Sequence, residues 1–364
     1  MKHIVIDARE SGSSTGRYID KLIEYLHKIG PKHKITVLTK RKRMDFMKEI
    51  APKFTVLSTR VRFFTFAEQT KLLKQIKEQQ ADLVFFPAAQ QPILYRGKVV
   101  TTIQDLTAVR FRNPAKNRVV FTIKQWVYKQ LNKYVGRKSR HIITPTEFVK
   151  DDFAKFAHIN SRKITVTHES ADKITDKAEP MEELKDKQFI MYVGRPQPNK
   201  NLGRLIEAFE KLRQTHPQLR LVLAGKKDWL YRQHEKSVES RGIKNVIFTD
   251  FVSEGQLRWL YENTAAYVFP SLSEGFGLPP LEAMQHGAPV VSSNATCLPE
   301  VNQDAALYFD PLDVDDMAAK IESMITDNKL RAKYVERGRK LVKQYSWERM
   351  ARQTLEVFNQ ALED

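Results

Sequence analysis

AAYVFPSLSEGFGLPPLEAMQHGAPVVSSN, residues 265 to 294, is the stretch whose reading decides the fold. Ala265 to Ser271 is a short apolar run with Tyr267, Val268 and Phe269 at its centre, closed by Pro270, and it predicts a buried strand. A glycine-containing loop, Ser273 to Leu278, follows. Pro279 and Pro280 fit only a first helical turn, so Leu281 to His286 continue a short helix that Gly287 can end. Val290 to Ser293 is the next strand. A strand, a glycine loop and a helix start build an anion-binding crevice at the carboxyl edge of a parallel sheet. Two acids, Glu274 in the loop and Glu282 in the expected first helical turn, should both face that crevice.

The same alternation runs outward in both directions. Upstream lie strands at Phe189 to Val193, Leu219 to Ala224 and Val246 to Thr249, with helices at Leu202 to Gln214 and Glu254 to Asn263. Downstream come a strand at Ala305 to Phe309 and helices at Val314 to Thr326, Lys329 to Tyr345 and Trp347 to Leu362. The first half repeats the theme: strands at Lys2 to Asp7, Ile35 to Thr39, Leu83 to Phe86 and Lys98 to Ile103, helices at Arg17 to Ile29 and Ala67 to Gln80. Strands alternating with helices predict parallel, doubly wound sheets. A polar connection from Asp172 to Lys187 separates the halves. The expectation is an α/β chain of two Rossmann-like domains facing each other across a cleft, residues 1–172 and 173–345.

No window approaches eighteen uninterrupted apolar residues, and MKHIVIDARE enters a strand without a signal-peptide pattern, so the expected location is the cytosol. The single cysteine, Cys297, reads as an inert small residue, which argues against redox chemistry. The net charge of +18 is unevenly placed: residues 1–180 hold 36 Lys and Arg against 17 Asp and Glu, and the remainder is close to neutral. Between Asp105 and Glu147 there is no acid, while Arg110, Arg112, Lys116, Arg118, Lys124, Lys129, Lys133, Arg137, Lys138 and Arg140 interleave with Phe111, Phe121, Trp126, Tyr128 and Tyr134. Three readings stand: a solvated basic face, an anionic membrane surface or lipid-linked acceptor, and nucleic acid. The last has no accompanying recognition signature.

Chemistry is concentrated in the second half. Gly194 and Arg195 end a strand, and Lys200 lies five residues on, near the next helix start. A glycine turn with two cations at a helix N-terminus suits a diphosphate, through forked hydrogen bonds from Arg and a point charge from Lys. The turn from Glu10 to Gly16 also opens a helix, but matches neither the P-loop nor G-x-G-x-x-G spacing, and a plain tight turn explains it as well. Asp313-Val-Asp315 spells the D-x-D of metal-dependent transferases, yet it follows Pro311 at a helix start and reads as a cap, so no metal is expected.

Glu274 and Glu282, with seven residues between them, resemble the E-x7-E motif of retaining glycosyltransferases of family four, which have the two-Rossmann GT-B fold. Gly16-Arg17-Tyr18, Gln104-Asp105-Leu106-Thr107, Thr144-Pro-Thr146, Gly194-Arg195 with Lys200, Leu223-Ala-Gly225, Leu298-Pro-Glu300 and Tyr345-Ser-Trp347 also resemble landmarks of that family, in order. The resemblance implies that a last helix, about 346–364, returns to the N-terminal domain. It implies transfer of a mannose- or glucose-type hexose from a GDP- or UDP-sugar co-substrate, without metal or other cofactor. The acceptor would be a glycan or polyprenyl-linked, at the inner membrane face. Arg195 and Lys200 would hold the diphosphate and stabilise the leaving group's charge, with Gly194 and Gly225 beside them. Glu282 would bind ribose hydroxyls and Glu274 those of the transferred sugar. The backbone of Gly275, Phe276, Gly277 and Leu278 would meet sugar and phosphate, and the Phe251 to Leu257 segment, through Val252, would lie near the base. Gly12, Gly16, Gln104 and Asp105 would contribute from the opposite wall. Many relatives have His-Asp where this chain has Gln104-Asp105; Gln can bind a hydroxyl but cannot carry charge, so an altered sugar contact is expected. Two other functions fit the same features: a basic surface- or nucleic-acid-binding protein on a transferase-like scaffold, and a GT-B sugar-nucleotide epimerase.

Overall fold

The apolar runs pair into two parallel sheets. The structure, a computed structural model, describes residues 1–13, 16–112 and 118–363. Ser14 and Thr15 of the first glycine turn, Lys116 of the basic stretch and Asp364 lie outside the described residues. Two units are distinct. One holds residues 1–109, 123–169 and the chain from Ser346 on; the other holds 170–345 and is grouped with 110–122. The division at Glu169 falls just before the polar connection rather than inside it.

The first unit has seven strands: β1 (His3–Asp7), β2 (Lys34–Lys40), β3 (Thr55–Thr59), β4 (Leu83–Phe86), β5 (Val99–Thr102), β6 (His141–Thr144) and β7 (Ile164–Val166), in the order β3-β2-β1-β4-β5-β6-β7. Strand β4 is apolar throughout and buried throughout, as a central parallel strand with both faces covered must be. Its helices are α1 (Arg17–Ile29), α2 (Met44–Ile50), α3 (Lys71–Glu78), α4 (Thr107–Arg110), α5 (Arg118–Lys138) and α6 (Glu147–Ala157). Helix α1 turns Tyr18, Ile19, Leu22, Ile23 and Leu26 inward, a helical stripe against the sheet. The expected helix from Ala67 to Gln80 is interrupted: Phe66–Glu68 is a short 3-10 turn, and α3 starts only at Lys71. Glu68 there is drawn into an ion pair with Arg9, which ties that turn down.

The second unit has six strands: β8 (Phe189–Val193), β9 (Arg220–Ala224), β10 (Val246–Asp250), β11 (Ala266–Phe269), β12 (Val290–Ser293) and β13 (Ala306–Phe309), in the order β10-β9-β8-β11-β12-β13. Its helices are α7 (Leu202–Thr215), α8 (Trp229–Ser240), α9 (Glu254–Asn263), α10 (Leu278–Gln285), α11 (Leu298–Asn302), α12 (Val314–Thr326) and α13 (Asn328–Leu341). In both units the strand order reverses once, between β1 and β4 and between β8 and β11. The loops after those strand pairs part company there and leave a crevice at the carboxyl edge, where ligands of such sheets bind.

The last helix, α14 (Trp347–Glu363), packs in the first unit. Phe358 is fully buried with its ring centroid 5.1 Å from that of Phe85 on β4. Lys98 Nζ donates to the Leu362 carbonyl at 2.8 Å, and His33 and Asn359 share a hydrogen bond of 2.7 Å. The chain therefore closes the unit in which it began.

Candidate functional site

Of the helices that start at the second sheet's carboxyl edge, α8, α9 and α12 are each capped by a side chain: Asp228, Ser253 and Asp313. Helices α7, α10 and α11 are not: no side chain at their N-cap positions, Asn201, Gly277 and Cys297, caps them. The first two follow β8 and β11, the pair at the reversal of strand order. Uncapped amides at a helix start carry partial positive charge and suit an anion.

Between them the two loops are stapled together. Lys200 Nζ donates to Glu274 Oε1 at 2.5 Å, with both side chains largely buried, and lies 5.5 Å over the Phe269 ring. The residues flanking Lys200 hold the loops in place. Asn199 accepts the Leu272 amide through its carbonyl at 2.7 Å and donates from Nδ2 to the Ser273 carbonyl at 2.9 Å. Asn201 Nδ2 donates to the carbonyls of Pro270, at 3.1 Å, and Pro311, at 2.7 Å. Sequence reasoning missed both asparagines; their signal was an Asn on either side of the lysine. Arg195 is exposed, and its guanidinium has no partner among the described residues. Its carbonyl accepts from the Tyr192 hydroxyl at 3.3 Å.

The loop after β11 is built for close backbone approach. Gly277 has φ of 89°, and a Cβ there would stand 2.8 Å from Leu298 Cδ2. Gly225 is tighter still, since its Cβ would meet the Gly194 carbonyl oxygen at 2.4 Å. Cys297 is buried beneath the loop, its Sγ donating to the carbonyls of Glu274 at 3.3 Å and Phe276 at 3.5 Å. Burial, and then the charge of Glu274, push its thiol well above the usual range. That makes it a poor nucleophile and a structural prop. Tyr192 and Tyr267 are buried under Glu274 and pushed up for the same first reason, so the floor of the crevice stays uncharged.

One expectation needs correction. Helix α10 starts at Leu278, with Pro279 and Pro280 inside its first turn as expected. Glu282 therefore stands in the second turn, beyond the reach of the helix-start dipole. Glu274 pairs with Lys200, and Glu282 Oε2 is 3.5 Å from the Tyr261 hydroxyl on α9. Val252 is half-buried in the turn after β10, next to the exposed Phe251. Asp313 is the cap of α12, accepting the amides of Asp315 and Asp316 at 2.9 and 3.0 Å.

The remaining candidates lie at the carboxyl edge of the first sheet. Gly12 and Gly16 belong to the turn after β1, where the Gly16 amide donates to the Ser13 carbonyl at 3.0 Å. Gln104 and Asp105 follow β5, and Asp105 Oδ1 accepts the Thr107 amide at 2.8 Å, opening α4. Sequence reasoning also missed Arg9, which is fully buried between Asp7, at 2.7 Å, and Glu68, at 3.0 Å.

Known families and solved structures share this two-sheet fold. Residues 15–172 match the profile described as Glycosyltransferase Family 4, and residues 173–341 that of Glycosyl transferases group 1. The chain is 30% identical to O-antigen chain mannosyltransferase B of Escherichia coli over 282 residues, which is 72% of this chain and 70% of that one. It is also 30% identical to the serotype-specific mannosyltransferase WbdA of Escherichia coli, covering 67% of this chain but only 29% of that longer protein. Sucrose-phosphate synthase from Thermosynechococcus elongatus superposes with a TM-score of 0.79 at 17% identity over 99% of each chain. Anabaena HepE in complex with UDP-glucose superposes with a TM-score of 0.74 at 16% identity, over 99% of this chain and 100% of that one.

Proposed function

The chain belongs to the group 1 glycosyltransferases of family 4, with the GT-B fold, and from that membership we propose that it moves a mannose- or glucose-type hexose from a GDP- or UDP-sugar to a cell-envelope glycan or polyprenyl-linked acceptor, with retention at the anomeric carbon. The observation that carries the reading is the Lys200–Glu274 pair at the strand-order reversal, between two helix starts without side-chain caps. The names of the relatives, O-antigen mannosyltransferases, support a hexosyl donor and a glycan acceptor.

Glu274 neutralises Lys200. A bound diphosphate is the stronger acceptor for the ammonium, and it would release the Glu274 carboxylate to the hydroxyls of the transferred sugar. Arg195, unpartnered and exposed, would add a forked contact to the same diphosphate and stabilise the charge that grows as it leaves. The amides of Gly275, Phe276, Gly277 and Leu278 would meet sugar and phosphate, Gly194 and Gly225 would let the donor approach the backbone, and Val252 would lie near the base. Glu282 would take the ribose hydroxyls. Arg195 and Lys200 supply the positive charge, so the reaction runs without metal. A nucleotide-sugar panel read by thermal shift and by product formation tests this, because ligand binding to the folded state raises its melting temperature. Stabilisation by a GDP- or UDP-hexose, and transfer that persists in EDTA, are expected. No shift with any donor overturns the reading and favours a binding scaffold; donor hydrolysis or inversion without acceptor favours an epimerase.

The acceptor side is assigned to an anionic membrane surface, met by α5. Its inward face buries Asn132 and Val135. On the opposite face Ile123, Trp126, Val127 and Tyr134 are 46% to 62% exposed, at helical spacing, with Lys129 and Lys133 on one flank and Lys124 on the other. An apolar stripe with aromatic residues and flanking lysines matches a helix lying in a bilayer interface. No helix among the described residues is long and apolar enough to cross a membrane.

A further inference from the structure

Tyr345 is the last residue of the second unit before the chain passes, at Ser346, to the first. It is half-buried, and two contacts within the second unit fix its side chain. The hydroxyl donates to the Val301 carbonyl on α11 at 2.8 Å. Burial pushes the phenol up to about 12, so at neutral pH it keeps the proton it donates. The ring meets that of Phe276 edge to face, with centroids 5.6 Å apart and planes at 88°, a favoured arrangement for two aromatic rings. Phe276 is buried and stands in the loop after β11, between Glu274 and the start of α10. The backbone of that loop is seated on the start of α11 and the turn before it. The Glu274 amide donates to Thr296 Oγ1 at 3.2 Å, Cys297 lies under the carbonyls of Glu274 and Phe276, and Leu298 closes on Gly277. Tyr345 is clipped to the same short helix, so the loop's seat and its side-chain brace are one assembly.

We propose that Tyr345 is a positioning residue for the donor loop: its ring sets where Phe276 sits, and so where the amides of Gly275 to Leu278 point. The proposal rests on the reading of those amides as contacts to the donor's sugar and phosphate. Glycines on both sides of Phe276 leave the backbone free to turn, and Gly277 already has φ of 89°. An amide hydrogen bond weakens steeply once the N–H no longer aims at its acceptor. In a loop of this composition the anchored Phe276 ring is what fixes that aim, and Tyr345 is what anchors the ring. Tyr345 stands 69 positions beyond Phe276 and touches the donor only through it.

Calorimetric titration of the full chain with GDP and with UDP, beside a thermal melt, separates this from a purely structural role. Tyr345→Phe keeps the ring and leaves the Val301 carbonyl without its donor; Tyr345→Ala removes both contacts. Each should lower the melting temperature. Affinity should split them. The diphosphate that the wild type binds should bind about three- to tenfold more weakly to Tyr345→Ala, the effect of losing one aromatic pair, and within about twofold of the wild type to Tyr345→Phe. Where Tyr345→Ala does not fold, Tyr345→Leu, which keeps apolar bulk without an edge-to-face ring, carries the same expectation. Phe276→Leu should weaken binding by a similar factor, and the double variant by no more than either single one, since both remove one contact. Equal weakening in Tyr345→Phe and Tyr345→Ala, which follows stability rather than the ring, overturns the proposal. So does unchanged affinity in the variants that lack the ring, or losses that add in the double variant. If neither GDP nor UDP binds the wild type, the donor reading of the loop fails first, and the role of Tyr345 falls with it.

Discussion

Lys200 and Glu274 are the residues on which the site turns, because each satisfies the other only until a diphosphate arrives. Lys200→Ala should lower kcat by about 10²- to 10³-fold, the usual cost of losing one charge-stabilising donor at a leaving group, and should also lower the melting temperature, because it leaves the largely buried Glu274 carboxylate without its cation; steady-state kinetics beside a thermal melt checks both. Arg9 shows the opposite balance, stability without chemistry. Its guanidinium lies between two buried carboxylates, and burial already pushes Glu68 up against the pull of Arg9. Arg9→Ala should cost about 3–5 kcal/mol by urea unfolding, since it leaves buried charge uncompensated. The cost should be larger at pH 8 than at pH 5, because acids with raised folded values are destabilising only when ionised. The lysine and the glutamate were both legible as site residues in the sequence. Their direct contact was not, because they stand 74 positions apart and only the pairing of β8 with β11 brings them together.

At the scale of elements, the caps separate scaffold from site. Asp313→Ala should cost about 1 kcal/mol of stability, the usual worth of an N-cap, and leave transfer activity and its insensitivity to EDTA unchanged. A coupled loss of activity and metal response would make it a ligand after all. Helix α5 makes a different prediction. Trp126→Ser with Ile123→Ser should leave the melting temperature nearly unchanged, because both side chains are exposed. It should reduce co-sedimentation with phosphatidylglycerol-containing vesicles, and added salt should reduce the wild type's binding further. Equal binding to phosphatidylcholine vesicles at both salt concentrations would remove the membrane assignment. The sequence marked this segment by charge but did not identify the helix. Its outward apolar residues blur the contrast between faces on which helical periodicity depends. Short strands such as His141–Thr144 and Ile164–Val166 went unread for a related reason: three or four apolar residues carry no period.

Across the whole molecule, the first unit depends on the chain's last helix. Phe358→Ala, which empties a fully buried ring position against Phe85, should cost about 3–5 kcal/mol, measured by chemical denaturation. The sequence by itself determined the alternation of strands and helices, the parallel sheets this implies, and the chemistry of the loop from Glu274 to Glu282. These depend on local pattern and on residue types whose backbone and charge properties travel with them. Only the tertiary structure decided that strand order reverses between β8 and β11, that Asn199 and Asn201 lock Lys200 onto Glu274, and that Glu282 lies within 3.5 Å of the Tyr261 hydroxyl. Each of these joins residues far apart in the chain, and such contacts are fixed by which strands become neighbours and by what burial does to a charge there. Spacing along the sequence records neither.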